Sequence, residues 1–211
     1  MSNRPTEPLI TNKTEIQLVD EYIYLALLVT LNDKMSKEIK RRVSQAWKAF
    51  WALKFIFLDI LDRKIRLDCL DTCLMPVPLY ASQTWSLTTK NKNTIEVCQR
   101  KMARKILGVC ARDRISNTQL QEWSMLKSAA QQASRSKWKW AGHIARLHHT
   151  RWAQATTMWD LYRDKRSRGR LSTRWADYFN KLIGPHWSKV ARDRNEWKVL
   201  GNQLNEVNHS R

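Results

Sequence analysis

Apolar residues recur every three to four positions over most of the chain, which is the period of an α-helix with one buried face. The first such stretch begins near Ser36, a candidate N-cap, and its apolar stripe runs from Ile39 to Phe57. Later stripes predict helices at about 60–75, 92–107, 117–123, 126–148, 152–163, 173–183 and 187–204. Pro76 and Gly108 are helix terminators at two of the predicted ends. No repeat of fixed period is apparent.

The N-terminal segment has a different pattern. Residues 1–15 are polar, contain two prolines and are predicted to form an arm. Residues 16–31, IQLVDEYIYLALLVTL, are rich in β-branched and aromatic residues and predict one or two short strands. The fold class is therefore mainly α: a helical bundle with a short N-terminal β-hairpin or strand remnant.

The charge of the chain is strongly positive. Its 211 residues include 38 Lys and Arg against 19 Asp and Glu, a net charge of +19. Most of the excess lies after residue 90, where the chain has 25 basic and 9 acidic residues. Such a balance indicates a polyanionic partner, with RNA or DNA first. The longest apolar stretches are far too short to span a bilayer, so no membrane partner is expected.

The sequence contains no pattern typical of an autonomous active site. Asp20 and Glu21 are the only adjacent acidic residues, whereas two-metal catalysis needs clustered carboxylates. Cys69 and Cys73 share an apolar helix face and are expected in the core, and the cysteines and histidines have no zinc spacing. We expect no catalytic residues and no metal site. The cysteines are expected to be reduced thiols, which indicates a nuclear or cytoplasmic protein.

Two predicted helices carry candidate phosphate-binding cations beside their apolar stripes. On the first helix Lys37, Lys40, Arg41 and Lys48 project away from the stripe. On the 126–148 helix the stripe contains Trp138 and, further on, His148, and the candidate phosphate-binding cations are Lys139 and Arg146. Trp140 lies off the stripe, so it either meets a neighbouring helix or is available for stacking on a base.

The segment KRSRGRLSTRW has the highest local charge. It contains Lys165, Arg166, Arg168, Arg170 and Arg174 and ends at Trp175. The predicted structure is a basic loop leading into a helix near residues 172–173, whose N-terminus and arginines would bind phosphate while Trp175 packs in the core. The alternative is a solvated run of charge with no ligand.

The following segments occur in order: EYIYLA, SKEIKRRVSQAWKAFWAL, LDTCLMPVPLYASQTWSLT, QRKMARKILGV, RDRISN, KWKWAGHIARL, SRGRLSTRWADYF and ARDRNEWKVLG. This ordered set resembles the C-terminal part of the endonuclease-reverse transcriptases of non-LTR (LINE-like) retrotransposons. The resemblance covers nearly all of the chain from about residue 20. The family usually has Gly at the position of Ala26, Gly near Ala81 and Pro at the position of Leu171.

The resemblance implies a truncated RNA-directed DNA polymerase. Residues 1–32 would be an N-terminal arm and palm-strand remnant, 33–110 a helical thumb-like domain, and 111–211 a basic helical C-terminal region. The polymerase and endonuclease sites would lie outside this chain, so we expect no activity from it alone. No cofactor is expected here, although the full-length enzyme would use Mg. Expected partners are RNA or DNA, bound nonspecifically, and the missing palm and fingers.

The sequence is also compatible with two other functions. The chain could be a host helical protein that binds nucleic acid or regulates without catalysis. It could also be a purely structural helical bundle whose basic faces are only solvated.

Overall fold

The computed structural model of the protein describes residues 9–11, 14–16, 19–30, 34–58, 61–158 and 174–207. Two antiparallel hairpins precede the helices: β1 (Leu9–Thr11) pairs with β2 (Thr14–Ile16), and β3 (Glu21–Tyr24) pairs with β4 (Leu27–Thr30). The second hairpin confirms the predicted strands. The first lies where an arm was predicted, because the two-residue spacing between Thr11 and Thr14 lets the short β-forming runs pair.

The turn of the second hairpin is held by the first helix. Leu25 and Ala26 have φ values of 47° and 62°, the left-handed conformation at both central positions that suits the twist of paired strands. The carbonyl oxygen of Ala26 accepts hydrogen bonds from the guanidinium groups of Arg41 and Arg42. Glu38 is buried and accepts from both arginines and from the backbone N–H of Leu28. The hairpin is therefore tied to a buried ionic cluster.

Helices make up most of the described chain. They are α1 (Lys34–Ala52), α2 (Lys54–Leu58), α3 (Arg63–Cys69), α4 (Thr89–Leu107), α5 (Asn117–Ser124), α6 (Ala129–Arg146), α7 (Trp152–Met158), α8 (Asp177–Leu182), α9 (Trp187–Val190) and α10 (Arg194–Val207). The prediction of a mainly α fold with a short N-terminal hairpin is confirmed.

Several predicted helix ends are confirmed by their capping contacts. Ser116 and Gln119 form a reciprocal capping box at the start of α5. Gly108 ends α4 with φ 68°, a conformation that glycine adopts without a Cβ clash. The first helix was predicted to begin at Ser36, which is wrong: α1 begins at Lys34, so Ser36 lies inside its first turn and makes a side-chain contact with Asn91 instead.

The last predicted helix, 187–204, is two helices. The backbone turns at 191–193, and the Asp193 carboxylate accepts the N–H groups of Asn195 and Glu196. An aspartate in this position satisfies the unpaired donors of a new helix start. The apolar period continues across the break, so periodicity alone could not reveal it.

The segment before Pro76 contains a wider helical turn. Helix α3 continues into a π-helical turn at Leu70–Leu74, with Met75 N–H donating to Leu70 oxygen. This turn changes the angle between successive side chains. Leu70 and Leu74 remain buried, whereas Cys73 is exposed and Cys69 half-buried. The prediction that Cys73 lies in the core is therefore wrong.

The apolar faces form three packed clusters. One joins α1, α2, α3 and α4 around Phe50, Phe57 and Met102. A second joins α1, α4 and the first turn of α6 to the segment before α4 around Trp85. The third joins α6 to α8, α9 and α10 around Phe179. The C-terminal helices thus have a core of their own, rich in aromatic rings.

Buried polar contacts connect these clusters. Lys137 of α6 is buried, and its ammonium donates to the Trp85 carbonyl oxygen at 3.0 Å. The same ammonium lies over the rings of Trp175, Tyr178 and Phe179, with ring centroids 5.1 to 5.7 Å away. Burial and the nearby Lys92 charge lower the pKa of Lys137 to about 8, although Asp177 opposes the shift. The division of the chain at residue 110 remains a prediction.

Candidate nucleic-acid interface

A basic groove runs between α4, α6, α8 and α10. Its volume is about 1080 Å³, and seven cationic side chains and one carboxylate line it. The cations are Lys92, Arg135, Lys139, Arg146, Lys181, Arg194 and Lys198. The carboxylate, Glu96, is already engaged by Arg100 at 3.5 Å and by the Ser128 hydroxyl at 2.9 Å. The groove therefore has a strong net positive charge.

Two stacked tryptophans form the floor of the groove where α6 crosses α10. The rings of Trp138 and Trp197 are nearly parallel, with centroids 4.0 Å apart. The Trp138 indole N–H donates to the Trp197 carbonyl oxygen at 2.9 Å. The Trp197 indole N–H donates back to the Trp138 carbonyl oxygen at 3.0 Å. Both rings are more than nine-tenths buried, so neither is open for stacking on a base.

A glycine on each helix makes this crossing possible. A Cβ on Gly142 would lie 2.6 Å from Cδ1 of Trp197, and a Cβ on Gly201 would lie 2.5 Å from Nε1 of Trp138. Carbon atoms in contact are normally about 3.5–4.0 Å apart. The two glycines therefore provide the space into which the opposite tryptophan packs.

The structure brings Lys139 and Arg146 into this groove, as two of the predicted cations. Lys139 is exposed. Arg146 also has a structural contact, because its guanidinium donates to the Ala191 carbonyl oxygen at 2.8 Å. His148 is exposed, and the prediction that it faces inward is wrong because α6 ends at Arg146. Trp140 is half-buried, with its ring stacked on His143 at 5.3 Å.

The predicted cations of α1 lie apart from the groove lining and divide into two kinds. Lys40 and Lys48 are exposed. Lys37 forms an ion pair with Glu21 of β3. Arg41 is largely covered and bonds Glu38 at 2.8 Å, so its main contact is with the hairpin cluster. Burial raises the pKa of Glu38, but hydrogen bonds from Arg41, Arg42 and Leu28 N–H outweigh it, leaving this pKa below its ordinary value.

The predicted phosphate-binding loop falls mostly outside the described residues. This applies to Lys165, Arg166, Arg168 and Arg170. Arg174 is half-buried, and its backbone N–H donates to the Asp177 carboxylate at 2.7 Å. The predicted helix start near residues 172–173 lies outside the described residues. The predicted helix is absent at 174–176, where the backbone has a turn at 175–176, and α8 begins at Asp177.

Trp175 packs as predicted. Its ring lies 5.1 Å from that of Phe179, and its indole N–H donates to the Gln83 carbonyl oxygen at 2.7 Å. This bond joins the C-terminal helices to the turn before α4.

Sequence reasoning missed five of the groove cations: Lys92, Arg135, Lys181, Arg194 and Lys198. They come from four helices that are distant in the chain. Arg135 is one helical turn before Lys139, and Arg194 is one turn before Lys198, so a shared flank was visible on each helix. Nothing local indicates that these flanks face each other.

The described residues offer little other chemistry. Within them no three His, Cys, Asp or Glu side chains are close enough to hold a metal ion. In the same ranges, no helix has the length and apolar character required to cross a membrane.

Comparison with known proteins places the chain among mobile-element products. It is 30% identical over 203 residues to a transposon-derived protein of Caenorhabditis elegans, an alignment that covers 90% of this chain and 73% of the relative. No protein-family model matches the sequence, and no solved structure matches the fold. An alignment of this identity and extent establishes common descent, so the chain belongs to the family of transposon-derived proteins represented by the nematode relative.

Proposed function

We propose that the chain is the thumb and basic C-terminal region of a non-LTR retrotransposon reverse transcriptase, without the polymerase and endonuclease sites. In this proposal it binds the phosphate backbone of RNA or DNA without sequence specificity. It has no catalytic activity alone and holds no cofactor, and Mg would belong to the full-length enzyme.

The basic groove carries the nucleic-acid part of the proposal. It concentrates seven cations around about 1080 Å³, and its single carboxylate is paired with Arg100. Lysine and arginine side chains on phosphates release condensed counterions, which gives affinity independent of base sequence. The aromatic rings of the groove floor are buried, so base recognition by stacking is not available there.

Two backbone angles support descent from a reverse transcriptase. Ala26 and Ala81 have φ values of 62° and 59°, and both stand at or next to positions where the resembling family usually has glycine. Only glycine enters this conformation without a steric cost. A transposon-derived relative is consistent with the same origin.

The exposed apolar residues of the second hairpin support the proposal that it packs against the rest of such a polymerase. Tyr22, Ile23 and Tyr24 are 62%, 55% and 61% exposed, so both faces of β3 present apolar surface to solvent. An isolated two-stranded hairpin is marginally stable in water. In the proposal these strands pack against the remaining palm of the parent enzyme.

The binding proposal is tested by titrating the protein with a labelled RNA–DNA hybrid of arbitrary sequence over a salt series. We expect log Kobs to fall linearly with log salt concentration, and a second hybrid of unrelated sequence to bind equally. Three variants locate the contacts: Lys40→Ala/Lys48→Ala on α1, Lys92→Ala/Lys181→Ala in the groove, and Arg166→Ala/Arg168→Ala/Arg170→Ala in the predicted loop.

The matched control is Lys64→Ala/Lys101→Ala, which removes two exposed cations that are not in the groove lining. The groove variant should reduce the salt slope by about two phosphate contacts, and the control should not. Absence of binding by the wild type, or equal loss in groove and control variants, would contradict the proposal. Descent is tested separately by sequencing the genomic flank for a palm-like reading frame.

A further inference from the structure

A short sequence pattern occurs twice in the helices that cross beneath the groove. Helix α6 contains Arg-x-x-Trp-Lys-x-x-Gly at residues 135–142, and α10 contains the same pattern at 194–201. The arginine lies one turn before the lysine, and both lie on one flank of the face formed by tryptophan and glycine. Each copy therefore combines a packing face with a pair of cations.

The two copies are related by an approximate local two-fold axis. The indole of Trp138 bonds the Trp197 carbonyl, and the indole of Trp197 bonds the Trp138 carbonyl. The space over Gly142 is filled by Trp197, and the space over Gly201 by Trp138. In a two-fold interface, residue i of one copy contacts residue j of the other, and residue j of the first copy contacts residue i of the second. The contacts of the two tryptophans and the two glycines follow this rule.

The same axis pairs the cations. It relates Arg135 to Arg194 and Lys139 to Lys198, and all four side chains are exposed and line the groove. No side chain within the described ranges forms an ion pair with any of them. The crossing therefore presents two equivalent cation pairs, one on each helix.

A nucleic-acid duplex has a matching symmetry. Its two antiparallel strands are related by two-fold axes perpendicular to the helix, so two equivalent cation pairs can contact one strand each. A single strand lacks such an axis. Proteins that bind single strands also use exposed aromatic rings as stacking platforms, and the rings at this crossing are occupied by each other.

We infer that the paired cations form a duplex-binding site that contacts one backbone phosphate strand from α6 and the other from α10. The site prefers double-stranded to single-stranded nucleic acid. This inference rests on the proposed function, since it names the ligand class of the same groove.

The experiment measures binding to a DNA duplex and to oligodeoxythymidylate, a single strand without structure, over the same salt series. Two half-site variants are compared: Arg135→Ala/Lys139→Ala and Arg194→Ala/Lys198→Ala. Each should lower the salt slope on the duplex by about 1.8, because a B-form duplex loses about 0.9 per phosphate contact. The two variants should be equivalent, and single-strand binding should change much less.

Two controls keep the result independent of folding. The charge-conserving variant Arg135→Lys/Arg194→Lys should retain the wild-type slope, because a phosphate contact needs the charge more than the guanidinium geometry. Circular dichroism should show unchanged melting for all variants, since the four side chains are exposed.

The possible failures are distinguishable. If the wild type binds neither ligand, the proposed function fails and this inference with it. If the wild type binds but the half-site variants differ clearly, or single-strand binding falls as much as duplex binding, only the paired-strand site is overturned.

Discussion

The crossing of α6 and α10 predicts an unusual response to a small substitution. Gly201→Ala adds one methyl group in a helix interior, where alanine is ordinarily favoured by about 1 kcal/mol. Here the new Cβ would lie 2.5 Å from Nε1 and 2.8 Å from Cδ1 of Trp138. Contact needs about 3.5 Å, so something must move by roughly 1 Å.

The Trp138 ring has little freedom to retreat. Its face is stacked on Trp197 at 4.0 Å, and its N–H bonds the Trp197 carbonyl oxygen at 2.9 Å. Overpacking of a well-filled core costs about 1–3 kcal/mol. Loss of the buried hydrogen bond costs about 1 kcal/mol and cancels the gain in helix propensity. We expect Gly201→Ala to lower the free energy of unfolding by about 1–3 kcal/mol.

Urea denaturation followed by far-ultraviolet circular dichroism measures this change. Gln203→Ala, an exposed position on the same helix, is the control and should alter stability by less than about 0.5 kcal/mol. Gly142→Ala should lower the free energy of unfolding by a similar amount, because a Cβ on Gly142 would meet Trp197 as a Cβ on Gly201 would meet Trp138. A stability gain of about 1 kcal/mol in Gly201→Ala would refute the reasoning, since it would mean that helix propensity alone decides.

Two further predictions concern backbone conformation and a buried charge. Ala81 has φ 59°, so Ala81→Gly should raise the free energy of unfolding by about 1 kcal/mol, seen as a higher midpoint in urea; an unchanged or lower midpoint would contradict this. Burial lowers the pKa of Lys137 to about 8, so between that pH and the ordinary lysine pKa the unfolded chain binds more protons than the folded one. Stability contributed by this group is therefore present above the ordinary lysine pKa and lost as the pH falls through about 8. The difference in unfolding free energy between wild type and Lys137→Met should change over this range, and a constant difference would show that Lys137 titrates normally.

Local features of the sequence were sufficient to predict most helices and the residues at which several of them begin or end. Gly108 ends α4 because its missing Cβ permits a positive φ, and Ser116 with Gln119 caps α5 through side chains three residues apart. Both effects act within one turn, so neither depends on the rest of the fold. The second hairpin was predictable for the same reason, from β-branched and aromatic residues on either side of a short turn.

Local features of the sequence did not predict the burial of side chains whose environment is set by tertiary contacts. Lys137 has the pattern of a solvated lysine beside aromatic residues, yet it is buried because the Trp85 carbonyl and three rings converge on it from other elements. Cys73 keeps an apolar helical spacing but is exposed, because it lies in a π-helical turn in which Leu70 and Leu74 are the buried residues.

The basic groove shows the same division. The sequence alone determined the excess of positive charge, its concentration after residue 90, and the two tryptophan–lysine segments. Only the tertiary structure decided that those segments cross, because the crossing depends on Gly142 admitting the ring of Trp197 and Gly201 admitting the ring of Trp138. The charge on a helix flank is a property of the local sequence, whereas its alignment with a second flank is a property of the packing between them.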